Sequence, residues 1–378
     1  MHYWPALDGL RGLAVIAVML FHAQWPAAQG GFLGVDIFFV LSGFLITAQL
    51  FQESQATGRV SLGAFFMRRV VRLQPALLLL LLVYGLCAAW SEWLPPSVAR
   101  SWPTDITIVT LALSHWARAW DWHAPDYLGH TWSLGIEEQF YLLWALAMAW
   151  YAQAGLGLAA LTRLAFLAAA CSAGWMALLY LSGASPSRLY NGLDTRAMAL
   201  LMGCTLALSL IRSHSGHVFR EAAASLPTHK RSTPSWDRVG GWAALLALVA
   251  GMHLLSWKHP VMFIAGYACT ALIAAYLVRA IVLNPTSGCA ALLSCAPLVR
   301  VGQLSYGLYL WHYPLFRIAE YQGGLHGVPL GTSMAAASVV TFLLAATSYY
   351  LLELPLRRQY ALRRARANTL SSHDRSMA

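Results

Sequence analysis

Ten apolar stretches, each near the roughly 20 residues that cross a bilayer as a helix, divide this 378-residue chain at about 8–25, 32–50, 74–91, 134–152, 158–182, 194–211, 239–257, 261–283, 299–320 and 331–352. A backbone in hydrocarbon must satisfy its own hydrogen bonds, and stretches of this length do so as helices. Composition agrees, since 58% of residues are hydrophobic and 11% charged, too apolar for an ordinary soluble domain. The expected fold is all-α, a polytopic transmembrane bundle of about ten helices. An even count places both termini on one side. The first stretch lacks a basic leader and an A-x-A cleavage context and nine more follow it, so it reads as a retained helix.

The side is set by the basic residues. With the N-terminus cytoplasmic, eighteen Lys and Arg fall in inner segments and five in outer ones, with Arg11 and Arg317 inside helix ends. That asymmetry is the positive-inside pattern, and it predicts that both termini are cytoplasmic. It also accounts for the net charge of +10 through topology and anionic lipid, which leaves nothing for nucleic acid to explain.

One integral membrane domain is expected over 1–358, followed by a basic, disordered cytoplasmic tail at 359–378. A polar loop at 213–238 interrupts the domain on the cytoplasmic side. His214 and His217 in that loop lack the further ligands a metal site needs, and the six cysteines show no CxxC spacing, so neither a metal site nor a disulfide framework is expected. The long connection 92–132 lies outside and carries Trp93, Trp102, Trp116, Trp120, Trp122 and Trp132. Its stretch ITIVTLALS is too short to span. Tryptophans here read first as anchors at the headgroup level, with a sugar-stacking platform as the alternative.

Ionisable side chains inside apolar runs mark partners, pathways or reactions. Arg11 and His22 are eleven residues apart on the first helix, which places them about 20° apart around it and about 16 Å apart along it. They share a face at two depths. Asp36 in GGFLGVDIFFVLSGFLI enters the second helix from outside, and Glu137 and Glu138 in HTWSLGIEEQFYLLW enter the fourth in the same way. Three helices thus bring His22, Asp36 and a glutamate to one level, where a carboxylate can orient an imidazole acting as general base on a hydroxyl. The competing reading of Asp36 is a buried ion pair that fixes helix packing.

At the inner level FFMRRVVRLQP supplies Arg68, Arg69 and Arg72 just before the third helix. With Arg11 they can form a cationic cluster whose guanidinium forks grip phosphates. Arg69 and Arg72, spaced i and i+3, share a helical face, while Arg68 reads as a topology and headgroup residue. A phosphate grip inside and a base outside suit a long, phosphate-headed donor that threads its reactive end between helices, and acyl-coenzyme A has that shape.

Taken together, LDGLRGLAVIAVMLFH, GGFLGVDIFFVLSGFLI, FFMRRVVRLQP, HTWSLGIEEQFYLLW, LDTRAMALLMG, VGQLSYGLYLWHYPL and LELPLRR occur in this order, and over about residues 5–358 the chain resembles the membrane acyltransferase 3 family. The resemblance implies a multi-pass protein of the bacterial cytoplasmic membrane that takes an acyl group, acetyl foremost, from cytoplasmic acyl-coenzyme A. The acceptor it implies is a carbohydrate or glycolipid hydroxyl at the extracytoplasmic face. It matches Arg11 and His22 to the family's essential pair and Arg69 and Arg72 to its donor-side arginines.

Asp194 and Arg196 match a family position at the start of the sixth helix, where a local ion pair capping that helix is an equal reading. Ser305 and Tyr306 are expected to pack and hydrogen-bond between helices, and His312 reads as a core histidine bonded to a neighbouring helix, with lining of the donor path as the alternative. Many relatives append a soluble hydrolase-like domain. This sequence ends in a basic tail, so the expectation is that the membrane domain completes transfer alone or hands its acyl group to a separate protein.

The sequence therefore predicts a membrane O-acyltransferase with His22 as base, oriented by Glu138 or Asp36, and with Arg11, Arg69 and Arg72 on the donor. Acyl-coenzyme A is its co-substrate, with no permanently bound cofactor or metal. The alternatives are a transporter of a small anion or lipid-linked substrate, and an acyl-donor subunit for a separate transferase.

Overall fold

A computed structural model describes residues 3–90, 93–155, 157–213 and 235–364. Their regular structure is helical throughout, and the chain forms two compact units, one of residues 1–61 and 103–305 and the other of residues 62–102 and 306–378.

In the first unit α1 spans Pro5–His22 and α2 Leu33–Thr57. Proline at the start of α1 presets a helical φ where its missing N–H costs nothing, and Asp8 in the first turn faces the positive end of the helix dipole. Gly58, at φ +70°, stops α2 by taking the left-handed conformation and donating its N–H to the Ser54 carbonyl. The unit continues with α5 (Ser114–Ala119), α6 (Trp132–Ala154), α7 (Leu158–Leu181), α8 (Pro186–Asn191) and α9 (Leu193–Ser213). It ends with α10 (Ser235–Leu254), α11 (Tyr267–Leu283), α12 (Gly288–Leu293) and the first ten residues of α13 (Ala296–Leu325).

Helix α9 is the spine of this unit and packs along both α2 and α7. Glycine makes the first contact close: a Cβ on Gly43 would sit 1.9 Å from the Leu200 carbonyl oxygen, and one on Gly203 would sit 2.1 Å from that of Val40. Membrane helices gain little from hydrophobic burial and depend on such backbone approach. Side-chain hydrogen bonds add to it, with Trp144 Nε1 donating to Thr47 Oγ1 at 2.9 Å between α6 and α2. Ser172 joins α7 to α9 by donating to the Asp194 carbonyl at 2.6 Å and accepting from the Met198 N–H at 3.1 Å.

The second unit contains α3 (Leu62–Trp90), the rest of α13, α14 (Leu330–Ser348), a π-helical turn at Tyr349–Glu353 and helical residues 354–364. Tyr306 Oη donates to the Leu73 carbonyl at 2.8 Å, the inter-helix role expected of it. Helix α4 (Pro96–Thr110) begins in this unit and ends in the other. At 15 residues it is about 22 Å long, short of a bilayer crossing.

Each of the ten apolar stretches coincides with a helix, and among the described residues seven helices are long and apolar enough to cross a membrane. Of the other three stretches, 239–254 is shorter, while α6 carries Glu137 and Glu138 and α13 carries Arg300, Arg317 and Glu320. The expected tail at 359–378 is helical as far as 364, and its remainder lies outside the described residues, as do His214, His217 and most of the 213–238 loop.

Candidate active site

His22 is the last residue of α1 and is half-buried, with the Phe21 ring edge-on at 5.1 Å between centroids. A helix C-terminus carries partial negative charge from its last carbonyls. At the other end of the same helix the Arg11 guanidinium lies 3.8 Å from Asp8, each side chain about one-fifth exposed.

The carboxylates expected at the His22 level have distinct partners. Asp36 is buried and lies 3.0 Å from Arg196 Nη2, itself fully buried. Four aromatic rings surround that guanidinium, at 4.2 Å for Tyr267, 4.9 Å for Tyr190, 5.8 Å for Trp132 and 5.9 Å for Phe39. The pair ties α2 to α9 inside an aromatic box. Edge contacts continue outward, from Tyr190 and Tyr267 to Phe32 and from Phe32 to Phe21, beside His22.

Glu137 Oε1 accepts a 2.6 Å hydrogen bond from Ser42 Oγ on α2. Glu138 is half-buried and lies about 100° further around α6. The structure thus gives the two adjacent glutamates different faces, with Glu137 turned to α2.

A local Asp194–Arg196 pair does not form. Residues two apart on a helix face different directions, and each finds a longer-range partner. Arg196 takes Asp36, while Asp194 takes Arg188 as a bidentate pair at 2.9 and 2.5 Å and accepts from Trp175 Nε1 at 2.8 Å. The described hydrogen bonds of His312 stay within its own helix, to the Tyr309 and Leu308 carbonyls at 2.8 and 3.1 Å.

Of the arginines expected at the donor, Arg11 lies in the first unit and Arg69 and Arg72 in the second. A cavity of about 460 Å³ is lined by Arg68, Val71, Arg72, Arg357, Tyr360, Ala361 and Arg364. The i, i+4 spacing of Arg68 and Arg72 puts both on one face of α3. Arg69 instead lies over the Phe65 ring at 5.6 Å. The i, i+3 spacing pairs Arg69 with Arg72, whereas in the cavity wall Arg68 accompanies Arg72. Arg357 and Arg364 were counted only as topology signals, because no periodicity links the end of the chain to α3.

Sequence reasoning also missed a network below the tryptophan-rich connection. Gln139 on α6 accepts from Trp116 Nε1 at 3.2 Å, lies 3.2 Å from His115 Nε2, and donates to the Ala112 carbonyl at 3.2 Å. Burial holds the His115 imidazole neutral by lowering its pKa from 6.5 to about 4, only partly opposed by the Gln139 hydrogen bond. Among the described residues no group of three or more His, Cys, Asp or Glu is placed to hold a metal.

Seven helices long and apolar enough to cross a membrane, among the described residues, define the class as a multi-pass helical membrane protein. A family model described as an acyltransferase domain matches residues 4–352, and the chain belongs to that acyltransferase family. It is 32% identical over 367 residues to the peptidoglycan O-acetyltransferase OatA of Listeria monocytogenes, covering 94% of this chain and 56% of the relative. It is equally 32% identical over 367 residues to the O-acetyltransferase OatA of Staphylococcus aureus, covering 94% and 58%. The chain therefore spans a little over half the length of these relatives. No solved structure matches it.

Proposed function

We propose that this chain is a membrane O-acetyltransferase that moves an acetyl group from cytoplasmic acetyl-coenzyme A to a carbohydrate hydroxyl at the extracytoplasmic face of the bacterial cytoplasmic membrane. The relatives' names supply the acetyl group and point to a peptidoglycan-type acceptor. The observation that carries the donor side is the cavity with four arginines in its wall, a density of fixed cations that suits a diphosphate and a further phosphate on one ligand. Arg69, on the same helix as Arg68 and Arg72, completes the donor set.

His22 is the general base. It takes the proton of the acceptor hydroxyl as that oxygen attacks the thioester carbonyl. The carbon–sulfur bond breaks, and the imidazolium returns the proton to the departing thiolate, so the products are an ester and free coenzyme A thiol. Glu138 orients the imidazole. Asp36, taken up by Arg196, serves the reaction by fixing α2 against α9. Positioning of this kind lowers barriers by holding groups in reactive geometry.

The test uses the full chain in sealed vesicles, with labelled acetyl-coenzyme A on one side and a soluble N-acetylglucosamine oligomer on the other. The expected result is thiol release on the donor side matched by label in ester linkage on the acceptor side. Label that crosses with no ester formed would make the protein a transporter and overturn the proposal.

A further inference from the structure

The sequence WDWH at 120–123 is held through both tryptophans and the histidine, yet it keeps two indoles in the open. Trp120 and Trp122 are 64% and 57% exposed. Between them Asp121 adopts φ +54°, a left-handed conformation that costs a non-glycine residue energy. The Trp122 N–H is tied down by a 2.6 Å bond to the Trp116 carbonyl, and His123 Nε2 lies 2.5 Å from the buried carboxylate of Asp105. Behind Trp120 the Trp116 ring stacks at an interplanar angle of 24°, and its own N–H is spent on Gln139. Two aromatic faces are thus presented on a scaffold that cannot fold them away, at the cost of a strained residue. Strain retained beside exposed apolar surface points to binding.

The rim says what kind of ligand fits. Arg188 lies over Trp120 and Trp116, at 5.1 and 5.8 Å from the ring centroids, and is paired with Asp194. Hydrocarbon tails would have to bury this charged pair, whereas a sugar ring matches both parts. The C–H faces of a pyranose stack on indole, and its hydroxyls both donate and accept. A headgroup anchor, in contrast, keeps its indole N–H toward the interface, and the N–H groups of Trp116 and Trp122 are committed to Gln139 and to the Trp116 carbonyl.

We propose that Trp120 and Trp122, backed by Trp116 and flanked by Arg188, form a glycan-stacking platform that docks the acceptor chain. The proposal rests on the acyl-transfer reading above and adds to it the subsite that captures a β-1,4-linked N-acetylhexosamine strand.

The test measures binding of a soluble N-acetylglucosamine hexamer by calorimetry to the full chain in lipid nanodiscs. The proteins compared are wild type, Trp120→Ala with Trp122→Ala, and Trp120→Phe with Trp122→Phe. The alanine pair should lose at least about tenfold in affinity, which is the effect expected of losing stacked aromatic faces. The phenylalanine pair should keep most of it. Acetyl-coenzyme A binding is measured on the same preparations and should be equal in all three, which also reports correct folding. Equal hexamer affinity across the three, or no binding to wild type, overturns the platform. So does quenching by brominated acyl chains of the fluorescence that differs between wild type and the phenylalanine pair, since that puts the indoles in the bilayer. Wild type that fails to consume thioester, whatever its glycan affinity, sinks the transfer reading instead.

Discussion

Asp36→Asn should destabilise the first unit more than any neutralisation of a surface carboxylate, because the partner it abandons has nowhere to go. Arg196 is fully buried, and its counter-charge lies 3.0 Å away on a side chain 1% exposed. Removing one member of a buried ion pair costs about 3–5 kcal/mol. The four ring faces around Arg196 remain in the variant and continue to favour a cation, so Asp36→Asn falls at the lower end of that range. Arg196→Met strands a carboxylate among the negative faces of the same rings, so it falls at the upper end. Asp36→Leu with Arg196→Met removes both charges and should return to within about 1–2 kcal/mol of wild type, since apolar replacement of a whole buried pair is often neutral. Equilibrium unfolding in mixed micelles would give the stabilities of wild type, the two single variants and the double variant. Single variants within about 0.5 kcal/mol of wild type, or a double variant as unstable as the sum of the singles, would refute the reasoning.

Three further outcomes follow from particular contacts. Gly203→Leu should push α9 off α2, because even a Cβ meets the Val40 carbonyl at 2.1 Å; overpacking of this kind costs about 1–3 kcal/mol or more, read as a lowered unfolding midpoint. Glu138→Gln should reduce turnover by about 10² or more while leaving stability near wild type, whereas Glu137→Gln should keep most activity because the Gln can still accept from Ser42 Oγ; steady-state rates on the two variants check this. His115 is neutral when folded and protonates more readily when unfolded, so its contribution is fully present above pH 6.5 and lost as pH falls toward about 4. The slope is about 1.4 kcal/mol per pH unit in that window, and it should vanish from the pH dependence of stability in His115→Gln.

The helices were legible in the sequence because hydropathy along a chain records the solvent each segment faces, and all ten stretches lie on helices. Burial partners were not legible in the same way. Asp36 and Arg196 are 160 residues apart, and nothing in the local pattern around either says that one will meet the other across α2 and α9. The same limit hid Arg357 and Arg364, which reach the Arg68 and Arg72 face only through the packing of the chain's end against α3. Arg69 shows a further limit, because i, i+3 spacing identifies a shared face and leaves open which neighbours of that face line a cavity. Which of the two glutamates turns toward α2 was not legible either, because that depends on the α2–α6 contact that places Ser42.

The central claim is that donor capture and proton removal belong to different side chains, and the most direct measurement is binding of a non-transferable acetyl-coenzyme A analogue to purified variants alongside their turnover. His22→Ala should bind the analogue as wild type does and lose about 10² to 10⁴ in transfer rate. Arg68→Ala with Arg72→Ala should bind it at least about tenfold more weakly and raise the KM for donor. If His22→Ala loses analogue binding as severely as the arginine pair, or if the arginine pair binds normally and fails only in turnover, the division of labour is contradicted.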